Sequence, residues 1–207
     1  DAFSKVSALP VRDIQLTGNK VALLIGNQTY ANGLPTLSTP SADVAAVSTA
    51  LADRFGYQTL VANNPSKDQI VELIRSVGER LGNDGSLIIY YAGYGYAVES
   101  TGEGYWLPSN ARTDSAGAWI STRDLSSYLA NIKANQIMVV SDSCYSGAMT
   151  KQMRLTSDAL GESREQIVAR RSVTALSSGG EEPVTDTGTN GHSVFANKLL
   201  NVLDQAD

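Results

Sequence analysis

Two short segments constrain this chain most, each an apolar run that closes on a Gly-bearing turn. The first is Leu87-Ile88-Ile89-Tyr90-Tyr91-Ala92-Gly93-Tyr94-Gly95. The second, about fifty residues later, is Ile137-Met138-Val139-Val140-Ser141-Asp142-Ser143-Cys144-Tyr145-Ser146-Gly147. Runs without polar interruption suit strands buried on both faces, and that is the condition of a parallel sheet covered by helices. The carboxyl ends of such strands are where sites are built. The one cysteine of the chain stands at the second of these ends.

The rest of the pattern alternates in the same sense. Lys20–Gly26 reads as a first buried strand, followed by a long loop containing Asn27, Gly33, Pro35 and Pro40. Ser41 is placed as the cap of a helix with Val44, Val47, Leu51 and Phe55 inward, closed by Gly56. A strand over 57–62 follows. Ser66 then caps a helix with Ile70, Leu73, Ile74, Val77 and Leu81 on one face, closed by Gly82.

After the strand at 86–92, residues 95–120 read as a hairpin-like excursion rich in glycine and aromatic residues. Ser121 or Thr122 caps the next helix, with Leu125, Tyr128, Leu129 and Ile132 inward. Strands at 136–141 and 172–176 and a helix over 192–204, with Phe195, Leu199 and Val202 inward, complete the order. Residues 1–19 read as a polar lead-in and 20–207 as one domain. Right-handed crossovers put every strand's carboxyl end on one edge, so Tyr94 and Cys144 are expected to share a cleft.

Composition closes off several classes of function. A formal net charge of −5 leaves no electrostatic footprint for nucleic acid or an anionic membrane. No apolar run reaches the length of a membrane span. One cysteine and one histidine cannot build a zinc site of the usual Cys/His kind, and no cofactor is expected. No phosphate-cradling Gly motif follows the first strand, which argues against a nucleotide-binding α/β domain.

Taken in order, these segments resemble the caspase-like cysteine peptidases, most closely their bacterial metacaspase-like (orthocaspase-like) branch. Val21–Asn27 with Tyr30 resembles the first strand and loop, and Pro40-Ser41-Ala42-Asp43-Val44 the segment at the first helix. Tyr90-Tyr91-Ala92-Gly93-Tyr94-Gly95 resembles the segment that carries the catalytic histidine. Asp142-Ser143-Cys144-Tyr145-Ser146-Gly147 resembles the nucleophile segment, and Gly191-His192-Ser193-Val194-Phe195 the start of a late helix. The separation of residues 94 and 144 also fits the caspase spacing of about fifty residues.

The resemblance implies a three-layer α/β sandwich with a mainly parallel central sheet and helices on both faces. It implies that Cys144 is the nucleophile and that the backbone N–H groups of Gly95 and Cys144 form an oxyanion hole. Asp43 and Asp142 would line a pocket for arginine or lysine, and Ser177 would open a segment that pairs with extended substrate. The partner implied is a peptide or protein segment bearing Arg or Lys. The family's sheet usually continues past the last helix, whereas this chain stops at Asp207.

One departure bears on activity: the family's histidine is Tyr94 here. A phenol ordinarily titrates near 10 and is a poor base at neutral pH. His192, the sole histidine, matches the late helix start, where a capping or structural role is expected. The leading expectation is a domain that has lost efficient catalysis and binds peptides or partners. The alternative is a working Arg/Lys-specific cysteine endopeptidase in which Tyr94 or a water replaces the base.

Overall fold

The computed structural model of the protein describes residues 16–98, 100–143, 172–178, 188 and 191–206. Cys144, the basic stretch 145–171 and the acidic residues Glu181, Glu182 and Asp186 lie outside the described residues. The apolar runs form the strands expected of them. They are β1 (Lys20–Gly26), β2 (Gln58–Asn63), β3 (Ser86–Gly93), β7 (Gln136–Ser143) and β8 (Ser172–Ser177). All pair in parallel, in the order β2-β1-β3-β7-β8.

Helices cover both faces, as the uninterrupted runs require. Alternate residues of a strand point to opposite sides, and two cores follow from that alternation. Val21, Leu23, Ile25, Leu87, Ile89, Tyr91, Ile137 and Val139 face α2 (Lys67–Arg80) and α3 (Thr122–Ala130). Ala22, Leu24, Tyr90, Ala92 and Val140 face α1 (Pro40–Phe55) and α4 (Val194–Gln205). The architecture is the expected three-layer α/β sandwich.

Several local assignments shift. The first helix begins at Pro40, with Thr39 rather than Ser41 at the N-cap. Proline suits the first helical position because its missing N–H has no partner there in any case. Gly56 closes this helix in the left-handed conformation, φ 70°, as expected. Gly82 makes no such cap; α2 ends through Leu81 in extended conformation. On α4 the inward face carries Phe195, Leu199, Leu200 and Leu203, while Val202 is 63% exposed. The N-cap is Ser193 and the helix starts at Val194, two residues after the expected start at His192, while Phe195 and Leu199 face inward as expected.

The 95–120 excursion is a three-stranded antiparallel sheet of β4 (Gly95–Val98), β5 (Glu103–Trp106) and β6 (Ile120–Ser121). It is tied to the main sheet by Trp106. The indole stacks on Tyr91 with ring centroids 4.5 Å apart and donates from Nε1 to Ser141 Oγ at 2.9 Å. The main chain of the excursion is thereby anchored at the carboxyl edge of β3 and β7.

Gly78 of α2 packs against Ile132, in the segment that follows α3. A Cβ built there would stand 2.6 Å from Ile132 Cγ1. Alanine is favoured over glycine in a helix by about 1 kcal/mol, but overpacking a filled core costs about 1–3 kcal/mol. Gly78→Ala is therefore expected to lower stability by about 1 kcal/mol in urea unfolding, against the propensity trend. A more stable variant would show that the helix and this segment have room to spare.

Candidate functional site

The register of the sheet brings the two segments singled out in the sequence to one place. Gly93 at the end of β3 is the partner of Ser143 at the end of β7. Tyr94 therefore leaves β3 at the edge where the adjacent strand β7 ends with Ser143. Ser177 ends β8 on the other side of β7, as the partner of Ser141.

Tyr94 is held mainly through its backbone. Its N–H donates to the Tyr30 hydroxyl at 2.9 Å, and its carbonyl accepts from Tyr91 Oη at 2.8 Å and from Leu107 N–H at 3.0 Å. Tyr30 in turn donates to the Asn27 carbonyl at 2.9 Å, and its ring lies 5.1 Å from that of Tyr94. The half-buried Tyr94 ring thus rests on a second tyrosine at the carboxyl edge of the sheet. Gly95 opens β4 opposite Trp106. Gly93 is required by close approach: a Cβ there would meet the Tyr91 and Tyr30 hydroxyls at 2.8 and 2.9 Å. Nearby, the fully buried Asn27 amide makes no well-formed hydrogen bond among the described residues. Such a group costs about 1–3 kcal/mol.

The backbone just before Cys144 is fixed from β8. Ser143 N–H donates to Ser178 Oγ at 3.0 Å, and Ser178 Oγ donates to the Ser143 carbonyl at 3.1 Å. Ser178 N–H also reaches the Ser141 carbonyl at 2.9 Å. Ser178 lies in the segment opened by Ser177, for which the resemblance implies substrate pairing; its contact with Ser143 is a further role. A serine in a Ser/Gly loop carries no signal of its own; only the register of β8 gives it a partner.

Asp43 and Asp142 do lie in one network, but their immediate partners come from an element the sequence reading kept apart from the site. Asp43, in the first turn of α1, is fully buried. Its Oδ1 lies 2.7 Å from His192 Nδ1, and both its oxygens accept from Ser193 N–H at 3.3 Å. Asp142, on β7, accepts at Oδ2 from Ser193 Oγ at 2.5 Å and from Tyr90 Oη at 3.3 Å. Ser193 Oγ also accepts from Ala196 N–H and so caps α4. His192 is therefore not the cap; it is the cap's neighbour, and its ring is hydrogen-bonded to Asp43.

The electrostatics follow from burial. Desolvation pushes the Asp142 carboxyl up to about 6, reinforced by the nearby Asp43 charge and opposed by the Ser193 and Tyr90 hydroxyl bonds. Burial raises the Tyr90 phenol well above its ordinary value, and the charges of Asp142 and Asp43 raise it further, so it acts as a donor. The Ser193 N–H, at the N-cap of α4, donates to Asp43, and Asp43 itself sits in the first turn of α1, where the helix dipole favours a negative charge; both offset part of the cost. Among the described residues no group of three or more His, Cys, Asp or Glu side chains is arranged to hold a metal ion. Nor, among the described residues, is any helix long and apolar enough to cross a membrane.

A five-stranded parallel sheet in the order β2-β1-β3-β7-β8, covered by helices on both faces, is consistent with a caspase-like α/β sandwich. Over residues 19–207 the sequence matches the family described as Caspase domain, and the chain belongs to that family. No curated protein matches it. Among solved structures it is similar to protein GSU0716 from Geobacter sulfurreducens. The identity is 16%, over 90% of this chain and 82% of that one, with a TM-score of 0.65. At that identity the likeness speaks for the fold.

The Asp142 carboxyl gives a test in solution. Its folded value, about 6, exceeds the ordinary 3.9, so its protonated form is favoured by folding. That contribution is present below about pH 4 and is lost as pH rises through 6, a change on the order of 3 kcal/mol. In Asp142→Asn the amide oxygen still accepts from Ser193, and no charge is buried. The stability of Asp142→Asn relative to wild type is expected to grow from pH 4 to pH 7. Chemical denaturation at four or five pH values measures it, and a flat difference would mean that the carboxylate is well solvated.

Proposed function

We propose that this caspase-like domain is a pseudopeptidase of the metacaspase-like branch, one that retains a cleft for Arg- or Lys-bearing segments and has lost its base. The observation that carries this reading is Tyr94, which follows β3 where Gly93 pairs with Ser143, the residue that precedes Cys144 in sequence. In this position the family's chemistry needs a group that takes the thiol proton. A phenol with an ordinary value near 10 does not do so at neutral pH. A thiol without a base, titrating near 8.5, is only a few per cent thiolate there.

The remainder of the site supports binding. Cys144 follows a backbone held on both sides by Ser178. Gly95 stays at the head of β4, where its N–H, with that of Cys144, would receive a carbonyl oxygen. Asp43 and Asp142 supply two buried carboxylates, which suit a guanidinium or ammonium group. Ser177, at the end of the edge strand β8, would pair with an extended peptide by strand addition. Two buried carboxylates in one network add little to stability, and keeping them fits a role in recognising a cation.

Cleavage of Arg- and Lys-peptides by the wild type is expected to stay at background. Tyr94→His restores a base of ordinary value near 6.5 and is expected to raise Cys144-dependent cleavage roughly 10²–10⁴-fold. The comparison needs wild type, Tyr94→His and Tyr94→His/Cys144→Ala in one peptide assay. Wild-type turnover of about 1 s⁻¹ or more, abolished by Cys144→Ala, would favour the working endopeptidase instead.

A further inference from the structure

We infer that His192 is a built-in occupant of the acidic pair, displaced by a guanidinium group but not by a single ammonium, and so a specificity-determining residue for arginine over lysine. The inference rests on the reading of Asp43 and Asp142 as a cation pocket.

The geometry leaves His192 few other tasks. Helix capping belongs to Ser193, whose Oγ accepts from Ala196 N–H at 2.9 Å. Neither apolar core includes the imidazole. What the ring does is contact Asp43, with Nδ1 2.7 Å from Oδ1. Its exposure is 21% while that of the Asp43 side chain is 1%, so the ring is the solvent-side member of the pair. A cation from solvent meets His192 before it meets Asp43.

Chemistry then separates the two basic side chains. The 3.3 Å contacts from Ser193 N–H to Asp43 are longer than the histidine contact, so the imidazole is the main competitor. Ser193 reaches Asp43 with its N–H and Asp142 with its Oγ, so one short residue bridges both carboxylates. A planar guanidinium, with five donors in a fixed fork, can likewise span the two. It replaces the imidazole at Asp43 and gains a bond at Asp142. An ammonium is a point charge whose donors do not match that planar fork. Placed at Asp43, it exchanges one donor for another with little gain.

Two probes test this on the whole chain, Nα-acetyl-arginine methylamide and its lysine counterpart at concentrations up to millimolar. Because the chain has one histidine, its ring protons give unambiguous NMR signals. In the wild type those signals are expected to shift on adding the arginine probe and to stay in place with the lysine probe. By calorimetry, His192→Ala is expected to bind the arginine probe about tenfold tighter than wild type, and Asp43→Asn to lose binding.

If the arginine probe binds in an Asp43-dependent way without moving the His192 signals or gaining from His192→Ala, the occupant idea fails and the pocket stands. Equal shifts with both probes overturn the arginine preference. If neither wild type nor folded His192→Ala binds either probe, the pocket reading and this inference fall together. The ring signals of the wild type decide the matter even if His192→Ala does not fold.

Discussion

The parallel pairing of β3 with β7 is the constraint on which the rest depends. It joins residues fifty apart in sequence, Ser86 with Gln136 through Gly93 with Ser143, in one unbroken register. A slip of one residue would turn Tyr90 and Tyr91 to opposite faces. Tyr90 would lose Asp142, and Tyr91 would lose its stack on Trp106. Because both faces of these strands are buried, that register is specified by two cores at once. The site at the carboxyl edge inherits its geometry from them.

The second constraint is the clamp between α1 and α4. At one end, Asp43 in the first turn of α1 holds His192 and Ser193 at the start of α4. At the other, Arg54 in the last turn of α1 donates to the Asp204 carbonyl at 2.7 Å and to the Ala206 carbonyl at 3.0 Å. Acid meets the N-terminal ends and base the C-terminal ends, as the helix dipoles favour. The exposed Arg54 contacts contribute little on their own. The buried Asp43 contacts matter more, because a carboxylate left without them would be stranded in the interior. Folding and the candidate pocket therefore draw on the same carboxylate.

Much of the fold was legible in the sequence. Uninterrupted runs such as Val21–Ile25 and Leu87–Tyr91 specify buried parallel strands, and helical spacing gives Val44, Val47 and Leu51 or Ile70, Ile74 and Val77 as inner faces. Helix ends were less legible. Thr39 is the N-cap of α1 without a side-chain cap bond, so nothing local marks it. Of the site, residue types and their common edge were readable. The partners were not. Tyr30 and Ser193 stand in segments that carry the resemblance, but their partners, like that of Ser178, come from distant parts of the chain and meet them only in the fold. The place of His192 at a helix start points to a capping or structural role, and only the folded chain brings it to Asp43, 149 residues away.

The central claim is that the nucleophile segment persists without a base to activate it. The rate of alkylation of Cys144 as a function of pH tests that most directly, since no other cysteine competes. Without a base the thiolate fraction, and with it the rate, should rise with an inflection near the ordinary thiol value of about 8.5 or above. An inflection below about 7, with fast alkylation of the folded wild type at pH 6, would show an activated thiolate and contradict the account.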